Sequence, residues 1–301
     1  MTRDSAADVR LVNDEALRQW PLPMPGAQGD KEDRGRALVI AGSPEMPGAA
    51  VLAATAAIRA GAGQLVIGTT ASTAHLVALA VPEARVISLA ERRDGVALSA
   101  IEPLTDVAAD IDAAVIGPGM QGERPLLEFV HAILPAFAKA KLVLDAKAMD
   151  VVKQDNFRFS QSVCLTPHAG EMAHLIGISK AAVEDEPSVV ALSAARRWNA
   201  VVALKGATTF IAVPDGTVWK HEGGNIGLGV SGSGDTLAGI IAGLAARGAS
   251  VEQACVWGVA LHGRAGDILA RRLGELGYLA REIPGELPAL MQGLRPCDDA
   301  R

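Results

Sequence analysis

The chain has 301 residues, half of them apolar but only 3% aromatic, and its formal net charge at pH 7 is −6. Such a chain lacks the basic surface and the aromatic stacking platforms that nucleic acids need, so we expect no nucleic-acid partner. At this length a hydrophobic core needs no covalent staples.

The remaining bulk features predict a cytoplasmic protein with no membrane partner. Cys164, Cys255 and Cys297 are not spaced as disulfide or zinc pairs. The longest apolar runs, residues 49–58 and 236–246, are too short to cross a bilayer. The first thirty residues contain no apolar core of signal-peptide length.

Taken in chain order, the sequence begins with a polar, proline-punctuated segment over residues 1–35, which predicts a strap or tail on the surface. From Arg36 onward, short apolar runs alternate with helical segments. The predicted strands cover residues 37–40, 64–68, 113–116, 141–144, 163–165 and 201–204. Helices are predicted over 49–60, over 124–140 and from His168 onward. This alternation is typical of a largely parallel sheet covered on both faces, so we predict an α/β fold with three layers, α/β/α.

Beyond Lys205 the pattern changes. Residues 208–213 and 217–220, joined across a Pro-Asp-Gly turn, indicate a β-hairpin. A glycine-rich stretch and its helix follow, and further helices are predicted over 251–273 and 282–293. No repeat, low-complexity tract or linker divides the chain. Residues 1–301 are therefore predicted to form a single domain, with a frayed end at about 294–301.

The glycine-rich stretch, residues 223–239, is the most distinctive segment of the chain. Its second half is helical in pattern, because apolar residues recur at three- and four-residue steps from Leu237. A glycine-rich turn that enters a helix directs several backbone N–H groups at one point, where the helix dipole favours an anion such as phosphate. Asp235 adds a carboxylate in the first turn. It is either a base beside a transferring phosphoryl group or a helix-start acid stabilised by ~0.3–1 kcal/mol, and this stretch alone does not decide between them.

The loops that follow the predicted strands indicate where a ligand would bind. In an open parallel sheet, ligands bind outside the carboxyl ends of the strands, so these loops all open on one edge. The distinctive loops are residues 42–48, 117–119, 145, 166–171, 205–209 and 232–235. The sequence therefore predicts one cleft lined by segments that are far apart in the chain.

Two common nucleotide-binding motifs are excluded. The P-loop pattern Gly-x-x-x-x-Gly-Lys-Ser/Thr does not occur. Gly227, Gly229 and Gly232 match the spacing of the dinucleotide fingerprint, but they come late in the chain and follow no clear βαβ start. Glu171 and His174, one helical turn apart, are too few ligands for a metal site. No site role is predicted for the histidines without an identifiable partner, His75, His131, His221 and His262.

Six blocks, in order, carry a resemblance to a known family over about residues 31–270. They are Val39-Ile40-Ala41-Gly42-Ser43 with Pro47-Gly48-Ala49, Ile116-Gly117-Pro118-Gly119, Leu144-Asp145-Ala146, Leu165-Thr166-Pro167-His168-x-Gly170-Glu171-Met172, Leu204-Lys205-Gly206-Ala207-x-Thr209 and Gly232-Ser233-Gly234-Asp235-x-Leu237-Ala238-Gly239-Ile240. In these blocks the chain resembles the ADP-dependent NAD(P)H-hydrate dehydratases of the ribokinase-like superfamily. The resemblance implies a ribokinase-like fold and a hydro-lyase of metabolite repair.

In that family a hydrated nicotinamide cofactor, (6S)-NAD(P)H hydrate, is restored to NAD(P)H at the expense of ADP, or of ATP in some members. The ring hydroxyl is phosphorylated and then eliminated as phosphate. By resemblance Asp235 accepts the hydroxyl proton and contacts the hydrate, while a nest of main-chain amides from Gly232, Ser233 and Gly234 holds the migrating charge.

The resemblance also implies the binding residues. The positions that match contacts to the hydrated cofactor are Ala49, Gly119 and His168. Those that match the adenine-nucleotide side are Lys205, Gly206, Ala207, Thr208, Thr209 and Gly234. Glu171 aligns with an acid that organises the waters of Mg²⁺, which is expected to arrive with the nucleotide phosphates. A homo-oligomer, a homotetramer in that family, is implied as well.

The chain departs from the family pattern at the cleft, where Lys147 replaces a usual Asp and Met46 a common Tyr. The epimerase domain fused to some relatives is not expected here. The choices between NADH and NADPH hydrate, and between ADP and ATP, stay open. Two other functions also remain: a superfamily kinase of a small alcohol such as a vitamin precursor, and a nucleotide-binding regulatory protein without chemistry.

Overall fold

The computed structural model describes residues 8–26, 29–93 and 95–295. Its strands are β1 (Asp8–Leu11), β2 (Arg36–Ile40), β3 (Gln64–Thr70), β4 (Arg85–Leu89), β5 (Glu91–Arg92), β6 (Gly95–Val96), β7 (Ala113–Ile116), β8 (Lys141–Leu144), β9 (Val163–Leu165), β10 (Val201–Leu204), β11 (Thr208–Ala212) and β12 (Thr217–Glu222). Its α-helices are α1 (Asp14–Gln19), α2 (Pro47–Arg59), α3 (Ala74–Ala80), α4 (Ile101–Ala108), α5 (Arg124–Ile133), α6 (Ala169–Ile176), α7 (Lys180–Asp185), α8 (Pro187–Trp198), α9 (Ser233–Ala246), α10 (Val251–Leu273) and α11 (Ile283–Gly293).

Ten of the strands in the described part of the chain form one sheet, in the order β1-β12-β11-β10-β9-β8-β7-β2-β3-β4. All neighbouring strands from β10 to β4 run parallel. The hairpin β11–β12 is antiparallel to β10 and within itself, so β12 again points the same way as β10. The loops after β2, β7, β8, β9, β10 and β12 therefore open on one edge of the sheet, as the sequence predicts.

Both faces of the sheet are buried, because successive residues of each strand enter two different cores. In β2, Ala37 and Val39 belong to one hydrophobic cluster, whereas Leu38 and Ile40 belong to the other. Helices α2, α9, α10 and α11 cover the first face, and α4, α5 and α8 cover the second. The three-layer α/β/α architecture is confirmed.

Helices α2 and α9 lie parallel and unusually close. A methyl group on Gly239 would come within 2.2 Å of the Ala53 carbonyl oxygen, and one on Gly243 within 2.3 Å of the Ala57 carbonyl oxygen. Only glycine permits this separation, because no neighbouring backbone atom can give way by that much. Since contacts advance along both helices together, their N-termini lie at the same end, on the edge where the loops open.

Two segments differ from the sequence prediction. The helix predicted over 124–140 ends at Ile133 and continues as a 3₁₀ turn, Leu134–Phe137. Pro135 has no N–H to donate to the preceding turn, which ends the α-helical pattern there. In the predicted N-terminal strap, β1 pairs with β12, and the Trp20 ring stacks on Trp219 with centroids 5.6 Å apart.

The predictions for residues 1–7, 27–28 and 296–301 lie outside the described residues, and the single-domain assignment remains a prediction. None of the described helices combines the length and the apolar character needed to span a bilayer.

Candidate active site

Asp235 lies in the first turn of α9, at the edge where the loops open. Gly232 caps this helix with φ at 88°, a left-handed conformation that glycine adopts without strain. The Thr236 N–H donates to the Gly232 carbonyl oxygen at 3.0 Å and closes the first turn. Among the described residues, the N–H groups of Gly234 and Asp235 have no backbone acceptor. These two amides therefore face outward from the positive end of the helix dipole.

The predicted amide nest is corrected at Ser233. Its N–H donates to the Val230 carbonyl oxygen at 3.2 Å and is not available to a ligand. This hydrogen bond closes the tight turn that leads into α9, and no sequence pattern predicts it. The Ser233 hydroxyl lies 3.0 Å from His262 Nε2 on α10.

Lys205, at the end of β10, is surrounded by acidic groups. Its Nζ lies 3.6 Å from Asp145 Oδ1 and 3.9 Å from Glu171 Oε2. A side chain on Gly234 would begin 3.4 Å from the same Nζ. The ammonium group is thus held between the loops after β8, β9 and β12, next to the free amides of α9. A lysine in this place can bind a phosphate group as a point charge.

The environment of Asp235 makes it a weaker acid than an ordinary aspartic acid. Burial is the main cause and the nearby Asp145 carboxylate adds to it, and together they raise the pKa of Asp235 to about 6, while Lys205 acts in the opposite direction. Asp145 is itself only 3% exposed and accepts a hydrogen bond from Thr166 Oγ1 at 2.6 Å. A carboxylate with a pKa near neutrality is suited to accept and release a proton at physiological pH.

His168 and Glu171 form a capping box at the start of α6. His168 Nδ1 accepts from the Gly170 and Glu171 N–H groups at 3.0 and 3.2 Å, and the His168 N–H donates to Glu171 Oε2 at 2.8 Å. A β-bridge between His168 and Lys205 holds the two loops side by side. The cap fixes the His168 ring with Nδ1 unprotonated, and more than half of the side chain stays exposed toward the edge of the sheet.

Ala49 and Gly119 meet on the other rim of the cleft. Gly119 has φ at 64°, and a Cβ there would lie 2.4 Å from Ala49 Cβ and 3.0 Å from the Met46 carbonyl oxygen. The loop after β7 therefore packs against the N-terminal turn of α2 with no side chain between them. Because α2 and α9 are parallel neighbours, this rim lies at the same end of the pair as Asp235.

A cavity of about 720 Å³ adjoins Lys205 and the N-terminus of α9. Its lining includes all the predicted nucleotide-binding residues except Thr208, namely Lys205, Gly206, Ala207, Thr209 and Gly234. The glycine-rich loop forms another wall. Asn225 anchors that wall, since its Nδ2 donates to Asp267 Oδ1 at 3.1 Å and its Oδ1 accepts from Tyr278 Oη at 2.9 Å.

No group of three or more histidine, cysteine or acidic side chains in the described parts of the chain is arranged to hold a metal ion. The capping contact of Glu171 is made by Oε2, and Oε1 has no hydrogen bond to another described residue. One carboxylate oxygen is therefore available to a hydrated cation, as the prediction for Glu171 requires.

Comparison with known proteins gives a family for this arrangement. The profile of the family described as NAD(P)H-hydrate dehydratase matches residues 37–289. The chain belongs to the NAD(P)H-hydrate dehydratase family.

Individual relatives agree with that assignment. An ADP-dependent (S)-NAD(P)H-hydrate dehydratase of Xanthomonas campestris is 49% identical over 95% of this chain and 97% of its own length. A bifunctional NAD(P)H-hydrate repair enzyme of Moorella thermoacetica is 39% identical over 91% of this chain, which spans 52% of that protein. A crystal structure of the ADP/ATP-dependent NAD(P)H-hydrate dehydratase of Bacillus subtilis, co-crystallised with ATP and Mg²⁺, superposes with a TM-score of 0.82 at 31% identity, covering 96% of this chain and all of that one.

The geometry brings five of the six predicted nucleotide-side residues together around one cavity beside the first turn of α9, which carries Asp235; Thr208 lies outside the lining. Sequence reasoning missed Asp145 as a neighbour of Asp235, Asn225 as the anchor of the glycine-rich loop, and His262, which contacts Ser233. The strand-end position of Asp145 and the Gly-Asn sequence were available as signals. His262 gave none, because its partner lies far away in sequence.

Proposed function

We propose that the protein dehydrates (6S)-NAD(P)H hydrate to NAD(P)H at the expense of ADP, as a hydro-lyase of cofactor repair. The observation that carries this proposal is Asp235, a carboxylate with its pKa raised to about 6 by burial and by Asp145. It stands at a helix N-terminus beside free amides and within reach of Lys205. The names of the relatives, at identities of up to 49%, support the reaction and its substrates.

Asp235 accepts the proton of the ring hydroxyl while that oxygen attacks the terminal phosphorus of ADP, so that AMP leaves. The phosphorylated ring then loses phosphate together with a proton from the adjacent ring carbon, which restores the double bond of the reduced nicotinamide. Hydroxide is a poor leaving group and phosphate is a better one, so the transfer makes the elimination possible. A base positioned for such a transfer contributes about 10²–10⁴-fold to the rate.

The phosphate charge falls on groups that this chain presents at one place. The Gly234 and Asp235 N–H groups and the Lys205 ammonium hold the oxygens of the transferring group, where fixed dipoles need no reorganisation. Glu171, through its free Oε1, would hold water of a Mg²⁺ ion that neutralises phosphate charge when the nucleotide is bound. Lys205 also balances Asp145 and Glu171 before the nucleotide arrives.

The opposite rim receives the hydrated ring. Ala49 and Gly119 present almost no side chain, which leaves a flat surface for a ring beside the N-terminus of α2. His168, whose Nδ1 is occupied by the cap, has Nε2, 3.6 Å from Glu171 Oε2, as the one ring nitrogen left for the substrate. Thr208 begins the strand that follows the Gly206-Ala207 turn and takes part in nucleotide binding through this turn.

The finer expectations are part of the same proposal. ADP is the preferred phosphoryl donor, with ATP as an alternative, and Mg²⁺ accompanies either. The protein acts in the cytoplasm as a homotetramer. Light scattering measures the assembly, and parallel assays with ADP and ATP, and with NADH and NADPH hydrates, measure the preferences.

The deciding experiment mixes the purified protein with ADP, Mg²⁺ and hydrated NADH and follows the absorbance of the reduced nicotinamide ring. We expect recovery of NADH with one AMP formed per ring, and recovery slower by about 10²–10⁴-fold with Asp235→Asn. Absence of recovery, combined with nucleotide-dependent phosphorylation of a small alcohol, would identify a kinase instead. Nucleotide binding without turnover would identify a regulatory protein.

A further inference from the structure

His262, on α10, reaches across to the first turn of α9 at the wall of the nucleotide cavity. Its Nε2 lies 3.0 Å from Ser233 Oγ and 3.1 Å from the Ser233 carbonyl oxygen. Both His262 and Ser233 line the 720 Å³ cavity. The His262 ring is partly buried, and Ser233 is only 5% exposed. The sequence predicts no role for either side chain. Its prediction for Ser233 concerns the main-chain N–H alone.

The contact with a carbonyl oxygen determines where the imidazole proton is. Burial lowers the pKa of His262 to about 4. The hydrogen bond to Ser233 raises this pKa, and the Lys205 charge lowers it further. The ring is therefore neutral at physiological pH and carries one N–H. A carbonyl oxygen only accepts hydrogen bonds, so that proton resides on Nε2, the nitrogen that faces it.

The orientation of the Ser233 hydroxyl follows. With Nε2 protonated, Ser233 Oγ can accept from His262 but cannot donate to it. Ser233 Oγ makes no other hydrogen bond to a described residue, so its proton has no acceptor among the described residues around it. The hydroxyl proton is left to point into the cavity, next to the Gly234 N–H. An oriented O–H beside a free amide matches two oxygens of one phosphate group.

The geometry points to His262 as a positioning residue that, through Nε2–H, holds Ser233 so that its hydroxyl donates to a phosphate oxygen of the bound nucleotide. This inference rests on the proposed function, since it requires a phosphate at the N-terminus of α9. It gives a reason for the contact of the His262 imidazole with α9 at Ser233, whose N–H already donates to the Val230 carbonyl oxygen. It also assigns to Ser233 a side-chain contact in place of the predicted main-chain one.

Removing either member should weaken ADP binding and leave adenosine binding unchanged, because adenosine has no phosphate. A hydrogen bond to a charged group corresponds to a loss of about 10- to 100-fold in affinity. His262→Leu and Ser233→Ala should each show that loss, and the double variant should be no worse than either single variant, because both remove the same bond. His262→Gln, which retains an N–H close to the Nε2 position, should recover most of the affinity.

Titration calorimetry of the full-length protein with ADP and with adenosine measures all four variants. His131→Gln is the matched control, because His131 is also an imidazole whose pKa is lowered by burial, but it packs on Phe157 in the other core. Wild-type affinity in His262→Leu, additive losses in the double variant, or an equal loss for adenosine would each overturn the inference.

The failure of the inference can be told apart from the failure of the proposed function. If the wild-type protein restores NADH but the variants bind ADP with unchanged affinity, only the inference fails. If the wild-type protein neither binds ADP nor restores NADH, the proposed function fails with it.

Nitrogen-15 NMR of the histidine rings tests the same geometry in the wild-type protein, with a variant needed only to assign the signal. The wild-type spectrum should contain a neutral His262 with the proton on Nε2, assigned by its absence in His262→Gln. A neutral ring with the proton on Nδ1 would overturn the inference, because Ser233 would then donate to His262 and not to the ligand.

Discussion

Asp235→Asn should make the protein more stable while it lowers turnover by about 10²–10⁴-fold. The folded state raises the pKa of Asp235 from 3.8 to about 6 because it disfavours the charged form. At 1.36 kcal/mol per pKa unit this corresponds to about 3 kcal/mol, or about 2–3 kcal/mol after allowing for partial solvent screening. Asparagine resembles the protonated acid and does not bear this cost. The stabilisation should be full above pH 6, shrink as the pH falls from 6 toward 3.8, and vanish below 3.8, where both side chains are neutral.

Urea unfolding of the two proteins between pH 4 and pH 8 measures the difference directly. In a separate thermal unfolding measurement at neutral pH, the melting temperature of Asp235→Asn should be about 5 °C above that of the wild type, at roughly 2 °C per kcal/mol for a chain of this size. Asp106→Asn, which removes an exposed aspartate on α4, is the control and should change stability little at any pH. A variant that is no more stable than wild type at pH 8, or that gains the same stability at pH 4, would refute the reasoning about burial.

Two further substitutions and a pH profile of the wild-type protein test other parts of the site and the fold. Lys205→Ala should weaken ADP binding by about 10- to 100-fold by calorimetry, because it removes a charge at the phosphates. The same change should move the pH midpoint of kcat/KM upward, since Lys205 lowers the pKa of Asp235. In the wild-type protein, kcat/KM should fall about tenfold per pH unit below about 6, because Asp235 acts as a base only when ionised. Gly239→Ala should cost about 1–3 kcal/mol in urea unfolding, because its methyl group would overlap the Ala53 carbonyl.

Matched variants separate these effects from general damage. Lys180→Ala, on the exposed helix α7, should bind ADP as the wild type does, and equal losses in the two lysine variants would argue against a phosphate contact. Gly285→Ala, in α11 with open space around the added methyl, should be neutral or stabilising by up to about 1 kcal/mol. A Gly239→Ala protein as stable as this control would contradict the close packing of α2 on α9.

The sequence was sufficient for the elements whose signals are local. The helix α10 has the predicted bounds, 251 to 273, because its pattern is long and periodic. The α5 boundary was wrong, since Leu134 and Phe137 continue the apolar rhythm although Pro135 prevents the α-helical bond. Strand β1 has only four residues and pairs with β12, which is distant in sequence, so no local pattern indicates it.

In the site, too, the sequence predicts features that depend on neighbouring residues and misses those that depend on distant ones. The Gly-Ser-Gly-Asp turn indicates an anion site because the glycines and the helix start are adjacent in sequence. The pKa of Asp235 depends on burial and on Asp145, which arrives from another strand, so no spacing rule predicts it. The contact between His262 and Ser233 joins two helices, and whether the Ser233 N–H is free depends on one backbone bond to Val230.

The close pairing of α2 with α9 also bears on how the chain is made. The two helices are far apart in sequence, so a nascent chain leaving the ribosome completes α2 long before α9 exists. During that interval the alanine face of α2 lacks its partner, and the contact that later forms is non-local, which slows folding. Asp235, the carboxylate proposed as the base, lies in the first turn of α9 and therefore reaches the cleft only in this late docking step.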